Sequence, residues 1–173
     1  MPLHIIIDGY NLIHQSTLIN FSDQLGFQNA RETLIDRLSD YKKIRRHKIT
    51  VVFDGLNAPR FSRRKDVTKG IEVKFSRRGE TADTVIKRMA AREKEKALVV
   101  SSDQEVAHFA ASQGAATITS DSFGEKIYSA ESADPDLFDS GEKTGLTPTT
   151  RKKGPRRRLS KRERHNRLKT RKL

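Results

Sequence analysis

The chain contains no cysteine. That excludes disulfides and thiolate metal sites and fits a reducing cytoplasm. No long apolar run occurs, so no helix of the membrane-spanning kind is expected. The first residues lack a charged stretch followed by an apolar segment, which argues against secretion and for a cytoplasmic protein. No glycine-rich loop follows the first apolar run, so neither a P-loop nor a dinucleotide fingerprint is present. "DGYN" lacks the second acid of a DxD phosphatase start. The five histidines, His4, His14, His47, His108 and His165, show no paired ligand spacing, and no serine nucleophile elbow appears.

What the chain does have is positive charge, unevenly placed. Of its 35 Lys and Arg, 13 fall in residues 151–173 against one acid, Glu163, while the net charge of the whole chain is +13. The body is therefore almost neutral. A block of like charge this dense repels itself unless phosphates neutralise it, and it reads as a nucleic-acid arm or as a solvated tail without a partner.

Short β-branched runs recur with helical patterns between them. "LHIII" (3–7), "ITVVF" (49–53), "ALVVS" (97–101) and "ATIT" (116–119) do not alternate polar with apolar, as expected of strands buried on both faces of a parallel sheet. "IEVKF" (71–75) does alternate, which predicts an edge or exposed strand. Between 30 and 44, Ala30, Leu34, Ile35, Leu38, Tyr41 and Ile44 form one apolar stripe. Thr81 is a candidate N-cap ahead of Val85, Ile86 and Met89. Ser102 with Glu105, Ser122 with Glu125, and Ser160 with Glu163 each make a capping-box pattern, and Gly114 is a helix stop. Strand and helix in alternation predict an α/β fold with a mostly parallel sheet. Residues 54–70 read as a long basic loop. Residues 131–150 read as an acidic flexible linker.

Acids stand where the strands end. Asp8 follows the first, Asp54 the second, Asp103 "LVVSS", and Asp121 "ATITS". In an open parallel sheet the carboxyl ends of the strands share one edge, and ligands bind there near the point where strand order reverses. Asp83 joins them if the helix from Thr81 starts beside that edge. Carboxylates gathered so closely raise one another's pKa unless a cation sits between them. Mg²⁺ or Mn²⁺ suits oxygen ligands, and a bound ion could activate water against a phosphodiester. One ion and two both stay open. Each acid also has a structural reading: Asp83, Asp103 and Asp121 lie at helix starts, where Asp is favourable, and Asp54-Gly55 fits a turn.

Several neighbours fit the same chemistry. Gly9 would permit close approach of a ligand. Asn11 could bond a carboxylate, water or phosphate oxygen, or cap a helix. Ser101 could orient Asp103 or meet a phosphate, or merely end a strand. Tyr10 and Phe61 could stack on bases, whereas Phe53 fits the core better. Arg60, Arg63, Arg64, Lys65, Arg77 and Arg78 flank the edge and are candidates to hold an RNA backbone, as are Arg156, Arg157 and Arg158 in the tail.

The segments "IIIDGYNLI", "VVFDG", "GETADTVIKRM" and "LVVSSDQEVAHFAASQGA", in that order, closely resemble the NYN-domain family and, within it, the YacP-like branch. The resemblance covers roughly 3–130 and leaves Asp121 outside. It implies a PIN-like three-layer fold and metal-dependent ribonuclease activity with Mg²⁺ or Mn²⁺. By position it implies Asp8, Asp54, Asp83 and Asp103 as the acidic metal site, accompanied by Asn11 and Ser101. Some members act on messenger RNA in association with the ribosome, so RNA and the ribosome are the partners to expect. The expected organisation is a nuclease domain over 1–130, the linker over 131–150, and a basic RNA-binding tail over 151–173 that is disordered on its own. Two functions remain: an endoribonuclease, or a non-catalytic RNA- or ribosome-binding protein on a nuclease-like fold. The four acids favour the enzyme, since a pure binder gains nothing from repelling phosphates.

Overall fold

The structure, a computed structural model, describes residues 2–15, 26–57, 65–132 and 160–173. Six strands form one mixed sheet: β1 (His4–Asp8), β2 (Lys48–Phe53), β3 (Lys65–Thr68), β4 (Ile71–Phe75), β5 (Ala97–Val100) and β6 (Ala116–Ile118). Their spatial order is β3-β4-β2-β1-β5-β6, parallel throughout except for β3, which pairs antiparallel with β4. The helices are α1 (Gly9–Gln15), α2 (Gly26–Ile44), α3 (Ala82–Glu93), α4 (Gln104–Ser112), α5 (Ser120–Ser132) and α6 (Lys161–Thr170).

The strand period of two splits β1 between two cores. Ile5 and Ile7 pack with Leu34, Leu38 and Phe123 under α1, α2 and α5, while Ile6 packs with Val52, Ile86, Met89 and Val106 under α3 and α4. Covered on both faces, β1 is buried at all five positions, which is why its sequence does not alternate. Each fully buried Ile, Leu or Phe contributes about 1.5–3 kcal/mol. The three-layer α/β architecture is thus the expected one.

Some local features differ from expectation. The stretch over 71–75 is not an edge, because Lys65–Thr68, inside the expected loop, folds back on it as β3. Lys69 and Gly70 have φ of 51° and 80°, the left-handed pair that a two-residue hairpin turn requires. The turn is pinned to α2 by Ser39 Oγ donating to Lys69 O at 3.1 Å and Lys42 Nζ to Gly70 O at 2.5 Å. Next, Asp103 rather than Ser102 caps α4, accepting from Val106 N at 2.9 Å; Ser102 Oγ instead accepts from Ser120 N at 3.1 Å.

The described part of the tail, 160–173, carries a docked helix. Ser160 and Glu163 form the expected capping box, with bonds of 3.2 and 2.8 Å, and open α6. Charge repulsion would oppose an isolated helix here, but this one is docked. Asn166 donates to Thr117 O at 3.1 Å and accepts from Thr117 N at 2.7 Å, on the outer strand β6. Lys169 Nζ reaches Glu95 O. Leu173 is buried, and its carbonyl accepts from Tyr41 OH at 2.9 Å.

Candidate active site

The chain leaves β1 toward β2 and leaves β5 toward β6, so strand order reverses between β1 and β5. Ile7 lies opposite Val100 there, which brings Asp8 beside the turn Ser101–Ser102–Asp103. β2 flanks β1 on its other side and delivers Asp54 just after Phe53. Helix α3, capped by Thr81, carries Asp83 in its first turn.

Asp8 is the least exposed of these acids, at 8%. Its Oδ1 accepts the N–H of Asn11 at 3.1 Å. Burial pushes the Asp8 carboxyl up to about 6; the Asn11 N–H opposes this, and the charges of Asp83, Asp103 and Asp54 add to it. The Asp83 carboxyl is raised as well, first by burial and then by Asp103, with Lys87 opposing. The four acids therefore share one electrostatic neighbourhood. Asp54 Oδ1 accepts from Leu56 N at 3.0 Å in a local turn. Asp103 spends one oxygen on its helix cap, and its N–H donates to Ser101 Oγ at 3.1 Å. Asp121 is exposed in the first turn of α5.

Asn11 bridges three elements of this edge. Its Oδ1 accepts from Ser102 N at 2.9 Å and from Ser120 Oγ at 2.6 Å. One side chain thus ties α1, the turn after β5 and the start of α5 together around Asp8. Gly9 has a reason within the core: a Cβ there would lie 2.3 Å from the Phe53 ring. Gly55 repeats the device, since its Cβ would meet Ser76 O at 2.2 Å.

Tyr10 is likewise engaged. Its ring meets Phe27 and Phe53 edge-on, at 5.5 and 5.1 Å between centroids. Sequence reasoning missed the group behind it. Arg31, 6% exposed, donates to Tyr10 OH at 2.7 Å and to Gln28 Oε1 at 2.6 Å. Its guanidinium lies 6.0 and 5.7 Å from the ring centres of Phe53 and Phe75. Asp54 acts on the Tyr10 hydroxyl electrostatically, so a buried cation sits one ring away from the acidic edge. The available signal was an arginine directly beside Ala30 in the apolar stripe of α2. Among the candidate RNA contacts, Lys65, Arg77 and Arg78 are exposed. Arg60, Phe61, Arg63, Arg64, Arg156, Arg157 and Arg158 lie outside the described residues.

The donors at this edge are carboxylate oxygens, which suit a hard divalent cation, and the raised Asp8 marks negative charge that such an ion would relieve. Among the described residues, no three Asp, Glu, His or Cys side chains are grouped closely enough to hold an ion. No described helix is long and apolar enough to cross a membrane.

The chain resembles known proteins over this frame. It is 29% identical over 86 residues to the uncharacterized protein YacP of Bacillus subtilis (strain 168), a stretch spanning about half the length of each protein. A crystal structure of Rae1 (YacP) from Bacillus subtilis superimposes with a TM-score of 0.61 at 25% identity, covering 76% of both chains. A single-substitution mutant of that protein gives 0.59 at 24%, covering 75% of this chain and 77% of the other. The model of the YacP-like NYN domain matches residues 5–172, so the match runs through the tail. With that match spanning nearly its whole length, the chain belongs to the YacP-like NYN domain family.

Proposed function

We propose that this protein is a metal-dependent endoribonuclease that hydrolyses RNA phosphodiester bonds, in messenger or ribosomal RNA at the ribosome. The observation that carries the proposal is Asp8, a buried carboxylate at the reversal point of the sheet, raised by burial and by three further acids. The nuclease-like, RNA-related character of the domain family supports it. Asp8 and one of Asp54, Asp83 or Asp103 would hold Mg²⁺ or Mn²⁺. When bound, the ion supplies Lewis-acid charge to the phosphodiester and activates water.

The remaining work belongs to the chain. The Asn11 N–H occupies Asp8 Oδ1, which leaves Oδ2 for a cation or a proton. Asn11 and Ser101 hold the turn that carries Asp103. Lys65, Arg77 and Arg78 offer charge to the backbone, together with Arg60, Arg63, Arg64, Arg156, Arg157 and Arg158. In hydrolysis, water adds across one P–O bond, leaving a phosphate monoester on one fragment and a hydroxyl on the other.

The absence of a three-acid cluster among the described residues favours a second reading, a binder of RNA or of the ribosome without catalysis. Incubating RNA with the protein and Mg²⁺ or Mn²⁺, beside an EDTA control and Asp8→Asn, separates the two. Cleavage that needs both the ion and Asp8 supports the enzyme. RNA bound and left intact under every condition leaves the binder.

A further inference from the structure

Between α3 and the β3–β4 hairpin lies a groove of about 320 Å³. Its walls carry Lys65 and Lys74 from the hairpin, Arg77 from the turn after β4, and Arg88 and Arg92 from α3. One acid, Glu80, stands among them and is already engaged: it accepts from Arg77 N at 3.3 Å and pairs with Arg88. The apolar lining is Phe75, Val85 and Met89.

The spacing on α3 matters. Residues 85, 88, 89 and 92 share one helix face. Val85 and Met89 turn toward the protein, while Arg88 and Arg92 stand 65% and 66% exposed at the rim. Glu72 partly neutralises the two lysines, at 3.3 Å from Lys65 and 3.1 Å from Lys74. Arg88 pairs with Glu80 and Arg92 with Glu93, so the five cations of the groove still outnumber the three acids, Glu72, Glu80 and Glu93, that pair with them.

Cations along a rim above an apolar floor suit a flexible polyanion that carries flat rings, with phosphates on the rim and a base on the floor. At 320 Å³ the groove is at the small end of ligand pockets, too small for a duplex. It starts at the acidic edge, since Arg77 follows β4 and Asp83 opens α3. Arg88 and Arg92 lie five and nine residues beyond Asp83, about 7.5 and 13.5 Å along the helix axis.

We infer that this groove is a track for single-stranded RNA, holding the part of the strand next to the phosphate at the acidic edge. The inference rests on the RNA reading of that edge, but not on catalysis there. Its test is binding of a labelled single-stranded oligoribonucleotide across a salt series in EDTA, where cleavage plays no part. Arg88→Ala with Arg92→Ala should weaken binding and flatten the slope of log K against log salt by about 1.4, two phosphates at about 0.7 each. Arg88→Lys with Arg92→Lys should keep most of the slope. Lys43→Ala with Arg46→Ala, an equal loss of charge at the end of α2, should change the slope little.

An unchanged slope in the Arg88 and Arg92 alanine pair overturns the track. So does an equal loss in the Lys43 and Arg46 pair, or no RNA binding by the unaltered chain. A groove-dependent slope in a protein that cleaves nothing with Mg²⁺ or Mn²⁺ upholds the track and ends the endoribonuclease reading. Metal-dependent cleavage with a groove-independent slope does the reverse.

Discussion

Two carboxylates on the same sheet meet opposite fates. Asp8 and Glu72 are both largely withdrawn from solvent, at 8% and 12% exposed. Burial works to raise both. At Glu72, hydrogen bonding and charge from Lys74, then Lys65 and Lys48, outweigh burial and pull the carboxyl down to about 2. The lysine nitrogens stand 3.1, 3.3 and 3.5 Å away. At Asp8 the charged neighbours are acids, and the carboxyl rises to about 6. Glu72 is what a structural half-buried acid looks like, with its charge answered by the protein. The charge of Asp8 is not answered that way among the described residues, which is why a ligand is invoked for one and not for the other.

The change with the largest expected effect removes the Asp8 charge. Asp8→Asn should cut cleavage by more than the roughly 10–100-fold seen on removing a residue that only supports a metal ligand. The raised folded-state pKa means that the fold holds the Asp8 proton more tightly than the unfolded chain does. The associated stability is full below about pH 4 and is lost as pH rises through about 6. Two pKa units correspond to about 3 kcal/mol as an upper figure. In EDTA at pH 7.5 the variant should therefore be more stable than the unaltered chain by up to about 3 kcal/mol, and near pH 3.5 the difference should vanish. Urea unfolding at the two pH values checks this. Mg²⁺ or Mn²⁺ at 100 times its Kd should stabilise the unaltered chain by about 2.7 kcal/mol and Asp8→Asn far less.

A smaller change leaves every charge in place. Asn11→Ala removes the acceptor of Ser102 N and Ser120 Oγ. It should cost about 1–3 kcal/mol and lower kcat about 10–100-fold by loosening the turn that presents Asp103. Steady-state kinetics beside thermal melts separate the two effects. Cleavage unchanged in a destabilised variant would make Asn11 purely structural.

The smallest effect is expected at the answered acid. Glu72→Gln leaves three lysines facing one another and should cost about 1 kcal/mol near neutral pH, since their exposed ends are screened. The lowered pKa gives stability present above about pH 4.5 and lost as pH falls toward 2. The variant should lack that acid-side loss, which unfolding between pH 5 and pH 2 would show. A fall in kcat to match Asp8→Asn would erase the distinction between the two acids.

The acids were legible because a parallel sheet converts position in sequence into position in space: whatever follows each buried run arrives at one edge. Residues whose reason lies elsewhere were not. Gly9 answers to Phe53, more than 40 residues away in sequence. Lys65–Thr68 is exposed at all four positions and enters its turn through Lys-Gly, so neither alternation nor an Asn-Gly signal marks a strand. Arg31 is buried by rings from two other strands. The groove draws on β3, β4, the turn after it and α3, and no single window of sequence contains it. For α6, the capping box was readable, but the partner that Asn166 would find was not.

That partner gives the helix a second meaning. An outer strand offers an open row of amides and carbonyls, and another chain can add to it as the next strand. At Thr117 both backbone groups are taken by a single side-chain amide, whose C=O and NH₂ reproduce what a neighbouring strand would present. Asn166 thus acts as a one-residue counterfeit strand that ends the sheet at β6. The amide of Asn166 does not depend on ionic strength, so Thr117 stays closed to strand addition at any salt concentration.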